Sequence, residues 1–370
     1  MQISKIDLIN KLQFISDFLR PHTQRAYLVG GSVRDYFLGL ELRDFDIEVY
    51  DISPEKFDLL MQKLGANGYG KSFFVYKFQN YDLALARTEN KSAPGHKGFE
   101  VQICNDEALA AKRRDFTLNA LMINIFSGEL LDFYGGFEDL KGGILRHIDD
   151  KSFMEDSLRV LRAVGFVSRF KFYLAPQSLN LMKTMDISDL SEDRINAELY
   201  KFFKGEHLAL AYKTLQDLGL EKQLFGVEFD DDNFLKLLKN ARKFVKDEAL
   251  FLYLYLNYFN IKEPFCKKSK LKKTLLSKVS QPFFKKEVSD LELLKISSLM
   301  PLKSWLGLWD QKRIERAKFL GVYDEKFHSQ IQAKTYLKQG FFGKMLGLKL
   351  ESEKEKEMMA YLEGLKCTMS

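Results

Sequence analysis

Two aspartates, Asp44 and Asp46, are spaced so that they could hold metal ions. They lie at positions 42–49 in Leu-Arg-Asp-Phe-Asp-Ile-Glu-Val, whose alternation predicts a strand. Side chains alternate across a strand, so both carboxylates share one face, about 6–7 Å apart, and can share divalent ions. Mg²⁺ prefers carboxylate and phosphate oxygens, and two such ions would activate a 3′-hydroxyl and stabilise a leaving pyrophosphate. An exposed acidic strand edge is the alternative for this pair alone.

A glycine pair shortly before the aspartates predicts a site for phosphate groups. Gly30 and Gly31 follow a short apolar strand and precede a helix. Glycine tolerates positive φ and lets the backbone approach a ligand closely. The helix N-terminus offers free N–H groups to an anion, and Arg34 adds a full charge one turn in. These three residues are predicted to hold a triphosphate, although an ordinary tight turn also explains two glycines.

A third carboxylate and a basic cluster add to this site. Asp82 opens an Asp-Leu-Ala-Leu-Ala pattern, and a neighbouring antiparallel strand could aim it at the same ions as a third catalytic carboxylate. Lys112, Arg113 and Arg114 precede Asp115, which suits a phosphate or base clamp with Asp115 as a helix cap or a brace for an arginine. An ordinary Asp at a strand start and a basic helix start are the alternatives.

A second charged cluster could read a nucleobase. Asp156 and Arg159 are three residues apart, so we expect them on one helix face, with Arg162 one step further along. A carboxylate accepts from an exocyclic amine and a guanidinium donates to ring acceptors, which together match cytosine and adenine. Uracil or guanine would leave a group unpaired, at roughly 1–3 kcal/mol each. A solvent-facing ion pair is the alternative.

The elements that position these residues change along the chain. Strands are predicted at Ala26–Val29, Phe45–Val49, 73–78, 82–86 and 99–104, with helices at 32–38 and Pro54–Leu64. From about residue 153 the apolar residues follow a helical rhythm. The sequence therefore predicts an α+β head around one small mixed sheet, followed by an all-α body.

Charge and composition narrow the class of protein. Residues 1–150 hold 18 Lys and Arg against 22 Asp and Glu, and the remainder holds 39 against 29. A basic helical half suits a polyanion, although a solvated helical surface is the alternative. The three cysteines form no CxxC or Cys/His cluster, which favours a reducing cytoplasm and no zinc site. No uncharged run approaches the roughly 20 residues needed to cross a bilayer, so no membrane span is expected.

Seven ordered segments resemble the class II CCA tRNA nucleotidyltransferases and the related bacterial poly(A) polymerases. The resemblance covers about residues 26–205. The segments are Gly-Gly-Ser-Val-Arg-Asp at 30–35, the Asp44 and Asp46 pair, Ala-Leu-Ala-Arg-Thr-Glu-Asn-Lys-Ser at 84–92 with Gly-Phe at 98–99, Arg-Arg-Asp-Phe-Thr-Leu-Asn-Ala at 113–120, Asp-Phe-Tyr-Gly-Gly at 132–136, Glu-Asp-Ser-Leu-Arg-Val-Leu-Arg at 155–162, and Ser-Glu-Asp-Arg-Ile-Asn-Ala-Glu-Leu at 191–199.

The resemblance implies an activity and a set of site residues. CCA would be added to the 3′ end of tRNA from CTP and ATP, with Asp44 and Asp46 as Mg²⁺ ligands. The nucleotide would be contacted by Gly31, Arg34 and Arg114, together with the other residues of the predicted site: Gly30, Arg113, Asp115, and Asp156 and Arg159 as an amino-acid template assisted by Arg162. The implied domains are a catalytic head at 1–145, a nucleotide-recognising neck at 146–225, and a tRNA-binding body and tail at 226–370.

Some features depart from the family or leave alternatives open. Gly165 stands where relatives commonly carry another nucleotide-contacting arginine. None of the five histidines precedes an aspartate, so no HD phosphohydrolase activity is expected. Residues 87–99 correspond to the family's flexible loop, which argues against a CC-only enzyme. Partial CC or A addition, poly(A) synthesis and a non-catalytic RNA-binding module remain the alternatives, and the oligomeric state is not predicted.

Overall fold

The computed structural model describes residues 5–68, 74–91 and 99–367, and two compact units are seen, Met1–Glu198 and Leu199–Ser370. The predicted α+β class, with a small mixed sheet followed by helices, is confirmed. The finer division at 1–145, 146–225 and 226–370 stays a prediction. The predicted strand at 73–78 and the predicted loop at 87–99 lie partly outside the described residues.

Seven strands in the described part of the chain form the main sheet of the first unit. Its order is β3-β4-β5-β2-β1-β8-β9. The strands are β1 (Ala26–Val29), β2 (Phe45–Val49), β3 (Asn67–Gly68), β4 (Val75–Phe78), β5 (Tyr81–Leu85), β8 (Met122–Asn124) and β9 (Leu130–Leu131). The predicted bounds of β1 and β2 are confirmed, because the sheet buries every residue of β1 and every residue of β2 except the half-buried Asp46.

The predicted antiparallel neighbour for Asp82 is wrong. Strand β5 runs parallel to β2, with Asp82 directly beside Asp46. The reason is the helix α3 (Pro54–Leu64), which lies between the two strands and carries the chain back across the sheet. Strand β3 then runs in the direction of β2, and two antiparallel pairings, β3 with β4 and β4 with β5, restore that direction in β5.

The expectation of one sheet is also incomplete. Strands β6 (Arg87–Lys91) and β7 (Phe99–Ile103) pair antiparallel in a separate two-stranded sheet. Strands β10 (Ile144–Leu145) and β11 (Tyr173–Leu174) pair parallel in another, and β11 lies within the region predicted to be helical from about residue 153. Both pairs are too short or too local to leave a clear alternating pattern in the sequence.

Helices make up much of the rest of the first unit. They are α1 (Lys5–Leu19), α2 (Gly31–Phe37), α3, α4 (Glu107–Lys112), α5 (Gly136–Gly142), α6 (Asp150–Met154), α7 (Leu158–Phe170) and α8 (Pro176–Lys183), and α9 (Glu192–Lys204) includes the boundary between the units. Helix α3 has clear ends, because the Ser53 side chain accepts from the Lys56 N–H and Gly65 adopts a left-handed conformation. Helix α7 buries Val160, Leu161 and Val164 along one face.

The second unit is helical in the residues that the structure describes. Its helices are α10 (Leu208–Asp217), α11 (Glu221–Phe225), α12 (Asp232–Phe244), α13 (Leu250–Tyr258), α14 (Lys262–Lys268), α15 (Lys273–Val279), α16 (Asp290–Ser297), α17 (Gln311–Phe319), α18 (Ala333–Lys338) and α19 (Gly343–Cys367). Aromatic rings fill its interior, and Tyr212, Phe234, Phe251 and Tyr255 are all buried. Among the described helices, none is long and apolar enough to cross a membrane.

Candidate functional site

One cavity of the first unit collects the predicted nucleotide-binding residues. It has a volume of about 460 Å³ and is bounded by β2, α2, the segment after α4, and the start of α7. All nine predicted nucleotide-binding residues line it, although they come from three separate stretches of sequence. The complete lining is Gly30, Gly31, Arg34, Asp46, Arg113, Arg114, Asp115, Asn119, Asp156, Leu158, Arg159 and Arg162.

Three carboxylates lie close together, and of these Asp46 lines the cavity. Asp46 and Asp82 are register partners on β2 and β5, and Asp44 immediately precedes β2. Burial raises the pKa of Asp46, and the negative charges of Asp82 and Asp44 raise it further, against the opposing charge of Arg114. Asp44 is more open, with 63% of its side chain exposed. The structure therefore brings all three predicted catalytic carboxylates into electrostatic contact.

A lysine that the sequence did not single out neutralises part of this charge. Lys77 on β4 places its Nζ atom 3.3 Å from Asp44 Oδ1 and 3.3 Å from Asp82 Oδ2. Hydrogen bonds to Asp44 and then Asp82 raise the pKa of Lys77. In the described parts of the chain, no group of three or more His, Cys, Asp or Glu side chains is arranged as a complete metal site.

The carboxylates nevertheless fit a divalent cation held jointly with a ligand. Carboxylate oxygens are the donors that Mg²⁺ takes, and Mg²⁺ characteristically completes its shell with water and phosphate oxygens. Burial first, and then the negative charges of Asp82 and Asp44, raise the pKa of Asp46, and a cation bound beside it would offset both causes. Space is also present, since a Cβ atom added at Gly30 would still lie 4.0 Å from Asp46 Oδ2.

The glycine turn is tied directly to the aspartate strand. Gly30 has a φ of 65°, a left-handed value that favours glycine. Ser32 then links the two segments, because its Oγ atom accepts from the Asp46 N–H at 3.1 Å and donates to the Asp44 carbonyl at 3.1 Å. Ser32 was not among the predicted site residues, although it lies inside the motif that predicted the turn.

Burial, hydrogen bonds and aromatic rings fix the orientation of the Arg34 side chain. It is buried, and its Nη1 atom donates to Asn119 Oδ1 at 2.9 Å, while its Nε atom donates to Asp35 Oδ1 at 2.8 Å. The guanidinium also lies over the rings of Phe166 and Phe170, at 5.1 and 4.8 Å from their centroids. Burial lowers the pKa of Arg34. The cation is thus fixed beside Gly31 before any anion enters.

A buried glutamate organises the arginine pair. Glu48 is 2% exposed, and its two oxygens accept from Arg113 Nη2 at 2.7 Å and Arg114 Nη2 at 3.1 Å. The Tyr50 hydroxyl donates to the same carboxylate at 3.1 Å. Burial raises the pKa of Glu48, but the charges of Arg114 and Arg113 outweigh it, so the pKa is lowered overall. The alternation that predicted the Asp44 and Asp46 pair also places Glu48 on their face, and this signal could have found it.

Of the two roles expected for Asp115, the structure shows the brace. Its Oδ2 atom accepts from Arg162 Nε at 2.8 Å, and its Oδ1 atom accepts from Asn119 Nδ2 at 2.8 Å. Burial raises the pKa of Asp115, but the Arg162 charge and the hydrogen bonds from Asn119 and Arg162 lower it overall. The apolar helix expected after Asp115 is only a short 3₁₀ turn, Thr117–Asn119.

The expected shared helix face of Asp156 and Arg159 is wrong. Helix α7 begins at Leu158, so Asp156 lies in the turn after α6, where its Oδ1 atom accepts from the Leu158 N–H at 3.3 Å. An Asp just before a helix commonly satisfies a free N–H in this way, which ends the helical pattern there. Both side chains still line the same cavity.

Their partners differ from the simple ion pair that was the alternative. Asp156 Oδ1 accepts from Arg194 Nη2 at 3.0 Å. Arg159 donates to the carbonyl oxygens of Ser152 at 2.9 Å and Arg113 at 2.5 Å. Each charge is therefore oriented by another segment of the chain, and Arg194 belongs to the last of the seven resembling segments.

Comparison with known proteins supports the family resemblance for the first half of the chain. Residues 26–146 match the family described as "Poly A polymerase head domain". The chain is 40% identical over 205 residues to the "Multifunctional CCA protein" of Nitrosospira multiformis, covering 53% of this chain and 48% of that protein. A protein of the same name from Acinetobacter baumannii is 37% identical over 214 residues, covering 54% and 50%. The chain thus spans about half the length of these curated relatives.

Solved structures extend the fold similarity to the whole chain. The Thermotoga maritima CCA-adding enzyme complexed with tRNA aligns over 100% of both chains with a TM-score of 0.66 and 21% identity. The Bacillus stearothermophilus CCA-adding enzyme in complex with CTP aligns over 98% of both chains, with a TM-score of 0.68 and 22% identity. At this identity the similarity establishes the fold, including that of the helical second unit.

Proposed function

We propose that this protein is a template-independent nucleotidyltransferase that adds CCA to the 3′ end of tRNA from CTP and ATP. The proposal starts from the match of residues 26–146 to the poly A polymerase head-domain family. The observation that carries the proposal is the convergence of nine predicted nucleotide-binding residues and Asp46 on one cavity. A cavity of about 460 Å³ lies in the range of small-ligand sites.

The chemistry follows from charge and position. Asp44 and Asp46 would hold two Mg²⁺ ions, with Asp82 beside them. When bound, such ions favour ionisation of the attacking 3′-hydroxyl and stabilise the leaving pyrophosphate. The Gly30–Gly31 backbone and the oriented Arg34 receive the triphosphate on one side of the cavity. Arg113 and Arg114, fixed by Glu48, supply positive charge on another side, where it stabilises the transferring phosphoryl group.

Base selection is assigned to Asp156 and Arg159. The Asp156 carboxylate is a hydrogen-bond acceptor that matches the exocyclic amine of cytosine or adenine, and Arg159 donates to ring acceptors. Uracil and guanine would leave a charged group unpaired, at roughly 1–3 kcal/mol each. Asp115 keeps Arg162 aimed into the same cavity, where it reaches the phosphates.

Charge balance supports an RNA substrate, and the cysteines support a cytoplasmic location. Residues 151–370 hold 39 Lys and Arg against 29 Asp and Glu, a balance that favours an RNA partner. Cys104 and Cys266 are free thiols, in keeping with a reducing cytoplasm. The second candidate is poly(A) synthesis, which the description of the matching head-domain family favours, and partial CC or A addition is a narrower form of the same chemistry.

The decisive experiment supplies the protein with Mg²⁺ and tRNA that ends before the CCA. CTP alone, ATP alone, both together, UTP and GTP are tested, and products are sized at single-nucleotide resolution. The proposal requires two C residues followed by one A, with no U or G. Long A tails would instead establish poly(A) synthesis, and arrest after CC, or A addition only to tRNA that already ends in CC, would establish partial addition.

A further inference from the structure

The ammonium of Lys77 occupies the gap between two carboxylates of the catalytic cluster. In the sheet, Lys77 is the antiparallel register partner of Asp82, and Asp82 is the parallel register partner of Asp46. The three side chains therefore lie in one row across β4, β5 and β2. Asp44 approaches this row from the start of β2, and Lys77 Nζ lies 3.3 Å from an oxygen of each of Asp44 and Asp82.

Without this lysine the cluster would be strongly anionic. Asp46 already experiences the charges of both Asp82 and Asp44 in a buried setting. Like charges at such separations repel, and burial strengthens the repulsion because water screens it less. Arg114 is a balancing cation on the cavity side, and Lys77 is a balancing cation on the strand side.

The lysine is also able to leave. Its side chain is 37% exposed, and the side chains of Asp44 and Asp82 are 63% and 34% exposed. Ion pairs with this exposure are weak, and a long, flexible lysine side chain exchanges its partners easily. Lys77 thus offsets part of the charge of the two carboxylates, and its exposed ammonium can be displaced by a divalent cation.

We propose that Lys77 is an internal competitor for the divalent ions at Asp44 and Asp46, because its ammonium occupies Asp44 and the neighbouring Asp82 and must be displaced before an ion binds. Lys77 is a positioning residue in this role, because it holds Asp44 and Asp82 beside one ammonium and offsets part of their charge while no ion is bound. The inference rests on the proposed function, which assigns the metal ions to Asp44 and Asp46.

The Lys77 ammonium therefore lowers the affinity of the site for a divalent ion that arrives without a nucleotide. A divalent ion must overcome two ammonium–carboxylate contacts before it gains its own. An ion that arrives with triphosphate oxygens gains those ligands as well, which favours joint loading of ion and nucleotide. Removal of the ammonium would therefore strengthen binding of the bare ion, the opposite of what loss of a stabilising residue usually does.

The test measures Mn²⁺ binding to the nucleotide-free full chain, by electron paramagnetic resonance of free Mn²⁺ and by calorimetry. Lys77→Met should tighten Mn²⁺ binding about tenfold, from removal of two exposed ion pairs. Lys77→Arg, which keeps the charge, should stay within about twofold of the parent protein. The matched control is Lys63→Met on the exposed face of α3, which removes the same net charge elsewhere and should also stay within about twofold.

Two further variants separate this inference from the proposed function. Asp44→Ala and Asp46→Ala should each greatly weaken Mn²⁺ binding. If they do and Lys77→Met leaves the affinity unchanged or lowers it, the role of Lys77 is overturned and the metal site stands. If Mn²⁺ binds equally well to both aspartate variants, the metal assignment itself is overturned. Thermal unfolding of each variant shows whether the protein is folded, and added Mn²⁺ should raise the Tm of Lys77→Met more than that of the parent protein.

Discussion

Glu48 Oε2 lies 3.1 Å from Arg114 Nη2, and this buried carboxylate ties the arginines that we propose bind phosphate to the strand that carries Asp46. One strand therefore supplies both the proposed metal ligands and the anchor of the cationic side of the cavity. A displacement of β2 would move the two together, which keeps the metal and phosphate positions in a constant relation.

Loss of the Glu48 carboxylate should destabilise the fold. Glu48→Ala leaves two arginines without a buried counter-charge, and breaking a buried pair in this way costs about 3–5 kcal/mol. Urea unfolding followed by circular dichroism measures the change. Glu138→Ala, which breaks the exposed pair with Lys141, is the control and should change the free energy of unfolding by less than about 0.5 kcal/mol. Equal effects of the two variants would contradict the anchoring role.

The same carboxylate should make stability depend on pH. Burial raises the pKa of Glu48, but Arg114 and Arg113 lower it overall below the ordinary value of 4.5. A lowered folded-state pKa means that the contribution is complete above the unfolded pKa of 4.5 and is lost as pH falls through the folded pKa. The free energy of unfolding should therefore decrease with acidification below pH 4.5 more steeply in the parent protein than in Glu48→Gln. Parallel pH profiles for the two proteins would show that Glu48 is not the responsible group.

Removal of a metal ligand should abolish chemistry and spare RNA binding. Asp44→Ala and Asp46→Ala are each expected to lower nucleotide incorporation roughly 10³-fold or more, because the ions stabilise charge in the transition state. Affinity for tRNA, measured by filter binding, should remain within about twofold, since basic side chains bind the RNA phosphates. Full activity in either variant would contradict the assignment of the ions to this pair.

Asp156 should control which base is accepted. Asp156→Ala removes the acceptor for the exocyclic amine, so the preference for CTP over UTP in kcat/KM should fall about tenfold, as loss of one charged hydrogen bond implies. Single-turnover incorporation of each nucleotide measures the ratio. Glu155→Ala removes the neighbouring carboxylate, which does not line the cavity, and should leave the preference unchanged. An unchanged preference in Asp156→Ala would move base recognition to other residues.

An alanine side chain should be tolerated better at Gly31 than at Gly30. Gly30→Ala places alanine at a φ of 65° and a ψ of −132°, which costs about 1–3 kcal/mol in backbone strain. Strain and not collision is the cause, since the new Cβ would be 4.0 Å from its nearest neighbour, Asp46 Oδ2. In Gly31→Ala the Cβ would meet Arg34 Nη2 at 3.4 Å without a positive φ, so unfolding should be less affected. A larger loss of stability in Gly31→Ala would refute this account.

Local patterns predicted some elements of the first unit closely, but they did not indicate β8, β9 or α5. Strands β1 and β2 and helix α3 have the bounds that alternation, helical rhythm and capping residues indicate, because each pattern reports which face of an element is buried. The direction of β5 was not predictable in this way. Alternation is the same for a parallel and an antiparallel neighbour, and only the intervening crossover decides between them.

The site shows the same division. Motifs within a few residues found Gly30, Gly31, Asp44, Asp46 and Asp115, since their spacing alone indicates a turn, a shared face or a brace. Asn119 and Arg194, which orient Arg34 and Asp156, carry no local signal of that function. Their partners are 85 and 38 residues away in the chain.

The sequence by itself determined that Asp44, Asp46 and Glu48 share one face of a strand, because the two-residue period of an extended chain requires it. The tertiary structure decided what that face meets. Sheet register put Asp82 beside Asp46 and Lys77 between Asp44 and Asp82, and chain folding brought Arg113 and Arg114 onto Glu48. Such pairings depend on contacts between distant segments, and no local sequence pattern encodes the free energy of those contacts. They determine how far nearby cations offset the mutual repulsion of the three carboxylates.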